Sequence, residues 1–123
     1  MISQNILIVD DDTVFRASLK VFLENQNYKV CEAGSVKEAI KHDLMTFNAI
    51  VSDGKTNTGI IKLARGIPVI VTSSRASLRS AVEVMKRGAA DYLPKPYNLD
   101  ELKKTLEALI TQPRIDCVQM LGE

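Results

Sequence analysis

The sequence has few cysteines, no long apolar run and no excess of charge of either sign. Its two cysteines, Cys31 and Cys117, have no CxxC or histidine spacing around them, which argues against a zinc site or a disulfide framework. Neither a signal-peptide pattern nor an apolar run of about 18 residues is present, so we expect a cytoplasmic location and no membrane partner. Sixteen basic residues nearly cancel fifteen acidic ones, so we expect no direct binding of nucleic acid by this domain.

The composition is that of a single globular domain that folds unaided. Apolar residues make up 46% of the 123 residues and charged residues 25%. Short apolar runs rich in β-branched residues alternate with segments of helical period, which predicts an α/β fold. The strand candidates are Ile6 to Val9, Tyr28 to Cys31, Ala49 to Val51, Ile67 to Val71 and Asp91 to Leu93. The central ones are apolar on both faces, as in a parallel sheet covered by helices on each side in a three-layer arrangement.

Helical stripes lie between these strand candidates. One stripe consists of Phe15, Leu19, Phe22 and Leu23, a second of Leu78, Ala81, Val82 and Met85, and a third of Leu99, Leu102, Leu106 and Leu109. Ser35 with Glu38 and Asn98 with Glu101 are possible capping boxes, the first opening a helix that extends to about Asp43. Gly88 is a candidate C-terminal cap. The third helix is short, because only about eight residues near Thr58 to Arg65 fit a helical pattern.

Acidic residues follow two of the predicted strands. Asp10, Asp11 and Asp12 come directly after the first strand, and Asp53 ends the segment IVSD of the third. The carboxyl ends of parallel strands share one edge of a sheet, so these carboxylates should converge and repel each other unless a hard cation joins them. Mg²⁺ suits such oxygen ligands, particularly beside a phosphoryl group. Asp12 is the exception, since it or Thr13 is well placed to cap the following helix.

Two further polar residues belong to the same edge. Ser73 follows the fourth strand and Lys95 the fifth. A hydroxyl and an ammonium group there can stabilise the oxygens of a transferring phosphoryl group. Taken singly, each has an ordinary structural interpretation as well, because a serine in TSS often caps a helix and a lone lysine is usually solvated.

The segments LIVDDD, IVSD, PVIVTSS and GAADYLPKP together resemble the receiver domains of bacterial two-component response regulators, over nearly the whole chain. The resemblance implies a doubly wound, flavodoxin-like (βα)5 fold with the strand order 2-1-3-4-5. It implies that Asp53 is the phosphoacceptor and that Asp10, Asp11, Asp53 and the backbone carbonyl of Lys55 bind Mg²⁺ or Mn²⁺. It also implies that Ser73 and Lys95 stabilise the phosphoryl group.

The resemblance implies roles for three more positions. The family's hydroxyl residue lies 22 positions before the lysine, which selects Ser73 over Thr72 when counted back from Lys95. With Ser73, Tyr92 is either the aromatic switch residue of the family or simply a core aromatic. Lys55 and Arg75 occupy the positions that tune dephosphorylation in the family, where they either screen the phosphoryl group from water or remain solvated.

The sequence departs from the family after Asp53. Most relatives have a longer loop and a longer third helix, whereas this chain reads DGKTNTGIIKLARGIP. We expect the phosphorylation chemistry to survive this shortening while the loop after Asp53 and the third helix are either rearranged or mobile. A degenerate receiver that acts as a phosphorylation-independent interaction or dimerisation module is the alternative, and a metal-dependent phosphohydrolase is a more distant one.

The predicted receiver domain spans residues 1–112, and residues 113–123 are predicted to be a linker. MLGE and GAADYLPKPYNLDEL resemble the activators of sigma-54 RNA polymerase of the NtrC class, which implies a downstream AAA+ ATPase and a DNA-binding domain. The implied partners are a sensor histidine kinase and a second copy of the chain, bound through the face of the fourth helix, fifth strand and fifth helix. That face carries mixed charges, which also suit a solvated surface: Glu83, Lys86, Arg87, Asp91, Lys103, Lys104 and Glu107.

Overall fold

A computed structural model describes residues 4–54 and 57–111 of the chain, with only the backbone described at 57, 58 and 111. Strands and helices alternate from β1 to α5. The strands are β1 (Asn5–Val9), β2 (Lys29–Ala33), β3 (Ala49–Asp53), β4 (Val69–Ser73) and β5 (Asp91–Pro94). The helices are α1 (Thr13–Asn25), α2 (Val36–Ala39), α3 (Asn57–Ala64), α4 (Leu78–Lys86) and α5 (Leu99–Thr111), with a 3₁₀ turn at Leu44–Thr46. Within the described ranges no helix is long and apolar enough to cross a membrane.

The five strands form one parallel sheet in the order β2-β1-β3-β4-β5. This confirms the predicted flavodoxin-like fold and its strand order. Ile6 pairs with Val30 on one side and with Ala49 on the other, and Ile70 pairs with Asp91 near the far edge. The sequence placed all five strands correctly to within a few residues at each end.

Each face of the sheet carries its own apolar core, because successive side chains of a strand point to opposite faces. Ile6 and Ile8 pack on the side of α1 and α5, whose contributions are Leu19, Leu23, Leu102 and Leu106. Leu7 and Val9 pack on the other side, which includes Ala39 of α2, Ile60 and Ala64 of α3, and Val84 of α4. The fold is therefore three-layered, with the ends of all five strands held in register.

Local capping places the helices as predicted in four cases. Asn98 precedes α5, and its side chain accepts the Asp100 N–H at 2.7 Å. Asp12 caps α1, with its carboxylate accepting a hydrogen bond from the Phe15 N–H at 3.0 Å. Ser35 accepts the Glu38 N–H at 3.2 Å. Gly88 follows α4 with a φ of +111°. The α3 helix is short, as expected from the shortened sequence after Asp53.

The second helix is shorter than predicted. It ends at Ala39 rather than near Asp43. The Asp43 side chain instead accepts the Met45 N–H at 3.1 Å and opens the 3₁₀ turn. After Ala39 the backbone bonds tighten to the i→i−3 type, with the Lys41 N–H donating to the Glu38 carbonyl at 3.2 Å and the His42 N–H to the Ala39 carbonyl at 3.1 Å, so the α-helix has ended before Asp43.

The apolar stripe of α4 faces solvent rather than the core. Leu78, Val82 and Met85 are 82%, 44% and 45% exposed, whereas Val84 is the buried residue of this helix. Helical period identified the stripe but not the surface that it would contact. The stripe is consequently an apolar surface without a partner within the described part of the chain.

The cap of α4 yields a stability prediction. A Cβ atom at Gly88 would lie 3.6 Å from Ile61, an ordinary contact, so the strain of Gly88→Ala comes from the backbone alone. We expect this substitution to lower the free energy of unfolding by about 1–2 kcal/mol, since a β-carbon disfavours positive φ. Urea denaturation measures the change. Gly88→Asn is the matched control and should cost less; equal stability of Gly88→Ala and the wild type would contradict the argument.

Candidate functional site

Four strand ends bring polar side chains to one edge of the sheet. Asp10 follows β1, Asp53 is the last residue of β3, Ser73 is the last residue of β4, and Lys95 follows β5. The structure thus brings together the residues that the sequence assigned to this edge. Parallel strands make this possible because all their carboxyl ends point the same way.

Asp10, Asp11 and Asp53 form a compact acidic cluster. One oxygen from each carboxylate can be chosen so that all three lie within 4.8 Å of one another. Asp10 is 2% exposed and Asp53 7%, whereas Asp11 is open to solvent. At this separation two unit charges of like sign repel by roughly 3 kcal/mol at an effective dielectric constant of about 20. A set of oxygen ligands under such repulsion, with one member open to water, fits a hard divalent cation such as Mg²⁺.

Lys95 supplies positive charge to this cluster. Its ammonium nitrogen lies 2.8 Å from Asp10 Oδ2 and 4.0 Å from Asp53 Oδ1. Its backbone N–H donates to the Ser73 carbonyl at 2.7 Å, and its peptide bond to Pro96 is cis. Because the Lys95 side chain is only 15% exposed, the ion pair with Asp10 is largely shielded from water.

The loop after β1 is held by a second set of contacts. Asp10 Oδ1 accepts the backbone N–H of Asp12 at 2.9 Å. Arg16 donates to the Asp10 carbonyl oxygen and, at 3.1 Å, to the carboxylate of Glu32 on β2. These bonds orient the first acidic residue before any ligand arrives.

Ser73 and Thr72 point to opposite faces of β4. Thr72 is 1% exposed, while Ser73 is half-buried and lines a cavity that also includes Asp53. The counting argument therefore selected the hydroxyl that shares a cavity with Asp53. The Ser73 Oγ accepts the Arg75 N–H at 3.1 Å, and the cap of α4 is Ser77 rather than Ser73.

Gly54 allows the loop after β3 to pack closely on β4. A Cβ atom at this position would lie 3.3 Å from both Cβ and Oγ of Ser73, and the Gly54 N–H donates to the Thr72 carbonyl at 2.7 Å. A larger residue would press on the Ser73 side chain, which lines the cavity together with Asp53. The sequence carried no separate signal for this role of Gly54.

Tyr92 lines the same cavity, whose volume is about 300 Å³. The tyrosine is half-buried against the core, and its hydroxyl shares a hydrogen bond of 2.8 Å with Ser80 Oγ. Ser80 also completes the capping box of α4 with Ser77. The side chain of Tyr92 is thus connected to the first turn of α4, a contact that the sequence did not predict.

The structure describes only one of the two residues that were predicted to tune dephosphorylation. Arg75 is exposed and lines the cavity beside Asp53 and Ser73. Lys55 lies outside the described residues.

Two aromatic residues complete the surroundings of Lys95. The ring centroid of Phe15 lies 4.3 Å from the ammonium nitrogen, and the Tyr97 ring meets the Phe15 ring edge-on at 5.6 Å. Among the described residues the buried Tyr97 hydroxyl has no hydrogen-bond partner. Burial, and secondly the negative charge of Asp10, raise the pKa of Tyr97 above its ordinary value. The sequence identified Phe15 only as part of a helical stripe and carried no signal for Tyr97.

Comparison with protein families gives a match over most of the chain. Residues 6–107 match the family described as response regulator receiver domain. The transcriptional regulatory protein ZraR of Escherichia coli strain K12 is 36% identical over 112 residues, which cover 84% of this chain and 25% of ZraR. The virulence transcriptional regulatory protein PhoP of Shigella flexneri is 30% identical over 114 residues, which cover 85% of this chain and 51% of PhoP. The chain thus spans about half or less of these relatives.

Solved structures give the same family. The non-phosphorylated HemR receiver domain from Leptospira biflexa matches with a TM-score of 0.80 and 27% identity, covering 91% of this chain and 98% of that one. A Burkholderia pseudomallei response regulator with a phosphorylated aspartic acid and a calcium ion matches with a TM-score of 0.74 and 26% identity. The match covers 98% of this chain and 75% of that one. The beryllofluoride-activated NtrC4 receiver domain dimer matches with a TM-score of 0.77 and 27% identity, and the match covers 86% of this chain and 95% of that one. The chain therefore belongs to the response regulator receiver family, whose domains are signalling phosphoacceptors rather than turnover enzymes.

Proposed function

We propose that this domain accepts a phosphoryl group on Asp53 from a sensor histidine kinase in the cytoplasm and thereby controls transcription through a downstream effector. One observation carries the proposal: the Lys95 ammonium nitrogen lies 2.8 Å from the carboxylate of Asp10 and 4.0 Å from that of Asp53. These two residues form the acidic cluster together with Asp11. The relative with a phosphorylated aspartic acid supports it.

The proposed transfer requires little covalent chemistry from the protein. An oxygen of Asp53 forms a bond to phosphorus while the bond from phosphorus to the donor nitrogen breaks, and the electron pair of that bond stays on the leaving imidazole. Lys95, whose ammonium nitrogen lies 4.0 Å from Asp53, and Ser73, which lines the same cavity as Asp53, would stabilise the phosphoryl oxygens as charge develops on them. Positioning and charge stabilisation are therefore the main contributions of these side chains.

Asp10, Asp11 and Asp53 would hold Mg²⁺ or Mn²⁺ through carboxylate oxygens, with the backbone carbonyl of Lys55 as a further ligand in the proposal. When bound, the cation would neutralise charge on the phosphoryl oxygens. Asp10 already forms hydrogen bonds through both of its oxygens, so its orientation does not depend on the cation.

The proposed switch uses Ser73 and Tyr92. A phosphoryl oxygen on Asp53 would accept a hydrogen bond from the Ser73 O–H, while the Ser73 oxygen continues to accept the Arg75 N–H; Asp53, Ser73 and Arg75 line the same cavity. Movement of Ser73 would change the volume available to the Tyr92 ring and strain its bond to Ser80 at the start of α4. The signal would thus reach the exposed stripe of α4.

The proposed outputs are a homodimer and a downstream effector. The exposed Leu78, Val82 and Met85 support a dimer through the face of α4, β5 and α5, and the NtrC4 receiver is described as a dimer. Both named relatives are transcriptional regulatory proteins longer than this chain. We further propose that residues 113–123 link residues 1–112 to an AAA+ ATPase of the sigma-54 activator class, on the strength of the MLGE and GAADYLPKPYNLDEL segments.

Phosphorylation of Asp53 is tested with acetyl phosphate and Mg²⁺, followed by intact mass. We expect the wild type to gain one phosphoryl group, Asp53→Asn to gain none, and Lys95→Met to react at least about tenfold more slowly because charge stabilisation is lost. Lys86→Met is the matched control and should react like the wild type. No modification of a folded wild type would favour the phosphorylation-independent interaction module instead.

Arg75 and Lys55 are tested through the lifetime of the phosphorylated state. If these cations screen the phosphoryl group from water, Arg75→Ala and Lys55→Ala should shorten its half-life by up to about fivefold, the range expected for an exposed charge. Arg79→Ala, which removes a 91%-exposed arginine side chain paired with Glu83, should leave the half-life unchanged. Half-lives equal to that of the wild type in both test variants would identify the two side chains as merely solvated.

The dimer face is tested by sedimentation with and without beryllofluoride. Val82→Arg should weaken the activated dimer at least roughly tenfold, because a charge would be buried without a partner in an apolar contact. The control is Val21→Arg, which changes a 59%-exposed valine on α1. A dimer that persists in Val82→Arg but dissociates in Val21→Arg would place the interface on α1.

A further inference from the structure

The Phe15 ring contacts Lys95 directly. The Lys95 ammonium nitrogen lies 4.3 Å from the centroid of the Phe15 ring, within the range of a cation–π interaction. The Lys95 side chain is only 15% exposed, and such contacts are stronger when they are desolvated. The ring is therefore a third neighbour of the ammonium group, together with the carboxylates of Asp10 and Asp53.

The position of the Phe15 ring is determined from two sides. On one side the backbone N–H of Phe15 donates to the Asp12 carboxylate, and the backbone N–H of Asp12 donates to the Asp10 carboxylate. The loop that orients Asp10 therefore also positions Phe15. On the other side the Tyr97 ring meets it edge-on, with an interplanar angle of 84°. Tyr97 lies two residues after Lys95, so the chain on both sides of the contact is anchored.

The ring and the carboxylates attract Lys95 in different ways. Asp10 holds the ammonium group at 2.8 Å, but its charge is shared once the acidic cluster binds a divalent cation. The attraction of the ring comes from its quadrupole, carries no formal charge and persists when Asp10 is occupied. The ring does not compete with phosphoryl oxygens for hydrogen bonds.

We propose that Phe15 is a positioning residue for Lys95, holding its ammonium group beside Asp53 when Asp10 binds the divalent cation. This inference rests on the proposed phosphorylation of Asp53. It adds Phe15, a residue of α1, to the site residues that lie at the four strand ends. It also assigns a role to an aromatic side chain that packs against the core shared with α5.

The test measures beryllofluoride affinity in the presence of Mg²⁺ and the rate of phosphorylation by acetyl phosphate, both on the full chain. Phe15→Leu, which keeps an apolar side chain, should weaken both by about three- to tenfold, the range of a partly desolvated cation–π contact. Phe15→Tyr keeps the ring and should restore values near those of the wild type. The same Phe15→Leu change in a Lys95→Met background should have no further effect.

A matched control separates positioning from packing. Phe22→Leu removes the other half-buried aromatic of the same helix and core, about two turns along α1 from Phe15, and should leave both values unchanged. An equal loss from Phe15→Leu with and without Lys95, or no loss at all, overturns the proposal.

A separate measurement distinguishes failure of this inference from failure of the proposed function. The ring current of Phe15 should shift the ¹H resonances of the Lys95 ε-methylene upfield in the wild type, and Phe15→Leu should remove the shift. Absence of the shift overturns the contact itself, whether or not Asp53 is phosphorylated. A shift in a chain that accepts neither phosphoryl nor beryllofluoride refutes the proposed function and, with it, the role of Phe15 in that function.

Discussion

The ion pair between Lys95 and Asp10 allows three carboxylates to share one edge of the sheet. Buried carboxylates that approach each other within a few ångströms repel strongly, and the 2.8 Å contact from Lys95 offsets part of that repulsion before any cation binds. The same lysine is 4.0 Å from Asp53, so the charge that stabilises the cluster is also near the proposed acceptor.

The sheet determines which polar groups can reach this edge. Side chains alternate along each strand, so Ser73 lines the cavity beside Asp53 while its neighbour Thr72 is buried. The close approach of Gly54 to Ser73 then sets the space between β3 and β4. A one-residue slip of β4 would turn the Ser73 side chain to the opposite face of the sheet, away from this cavity.

The cavity also connects the site to the surface. Tyr92 reaches from the cavity to Ser80 in the first turn of α4, and the exposed apolar stripe begins on that same helix. Asp53 and the first turn of α4 are therefore connected through this cavity and the hydrogen bond between Tyr92 and Ser80. This short path depends on the capping box of Ser77 and Ser80, which holds the first turn of α4 in place.

The sequence by itself determined the five strands, because apolar periodicity is a local property of the chain. The family resemblance supplied their order in the sheet. The positions of the strand ends predicted that Asp10, Asp53, Ser73 and Lys95 converge. The sequence also predicted the short α3 but overestimated α2, whose backbone bonds tighten to the i→i−3 type before Asp43 opens the 3₁₀ turn. Only the tertiary structure decided that the α4 stripe faces solvent and that Phe15 lies over Lys95. Such contacts join residues far apart in sequence, as Lys95 and Asp10 are by 85 positions, and their geometry depends on how the layers pack rather than on any local pattern.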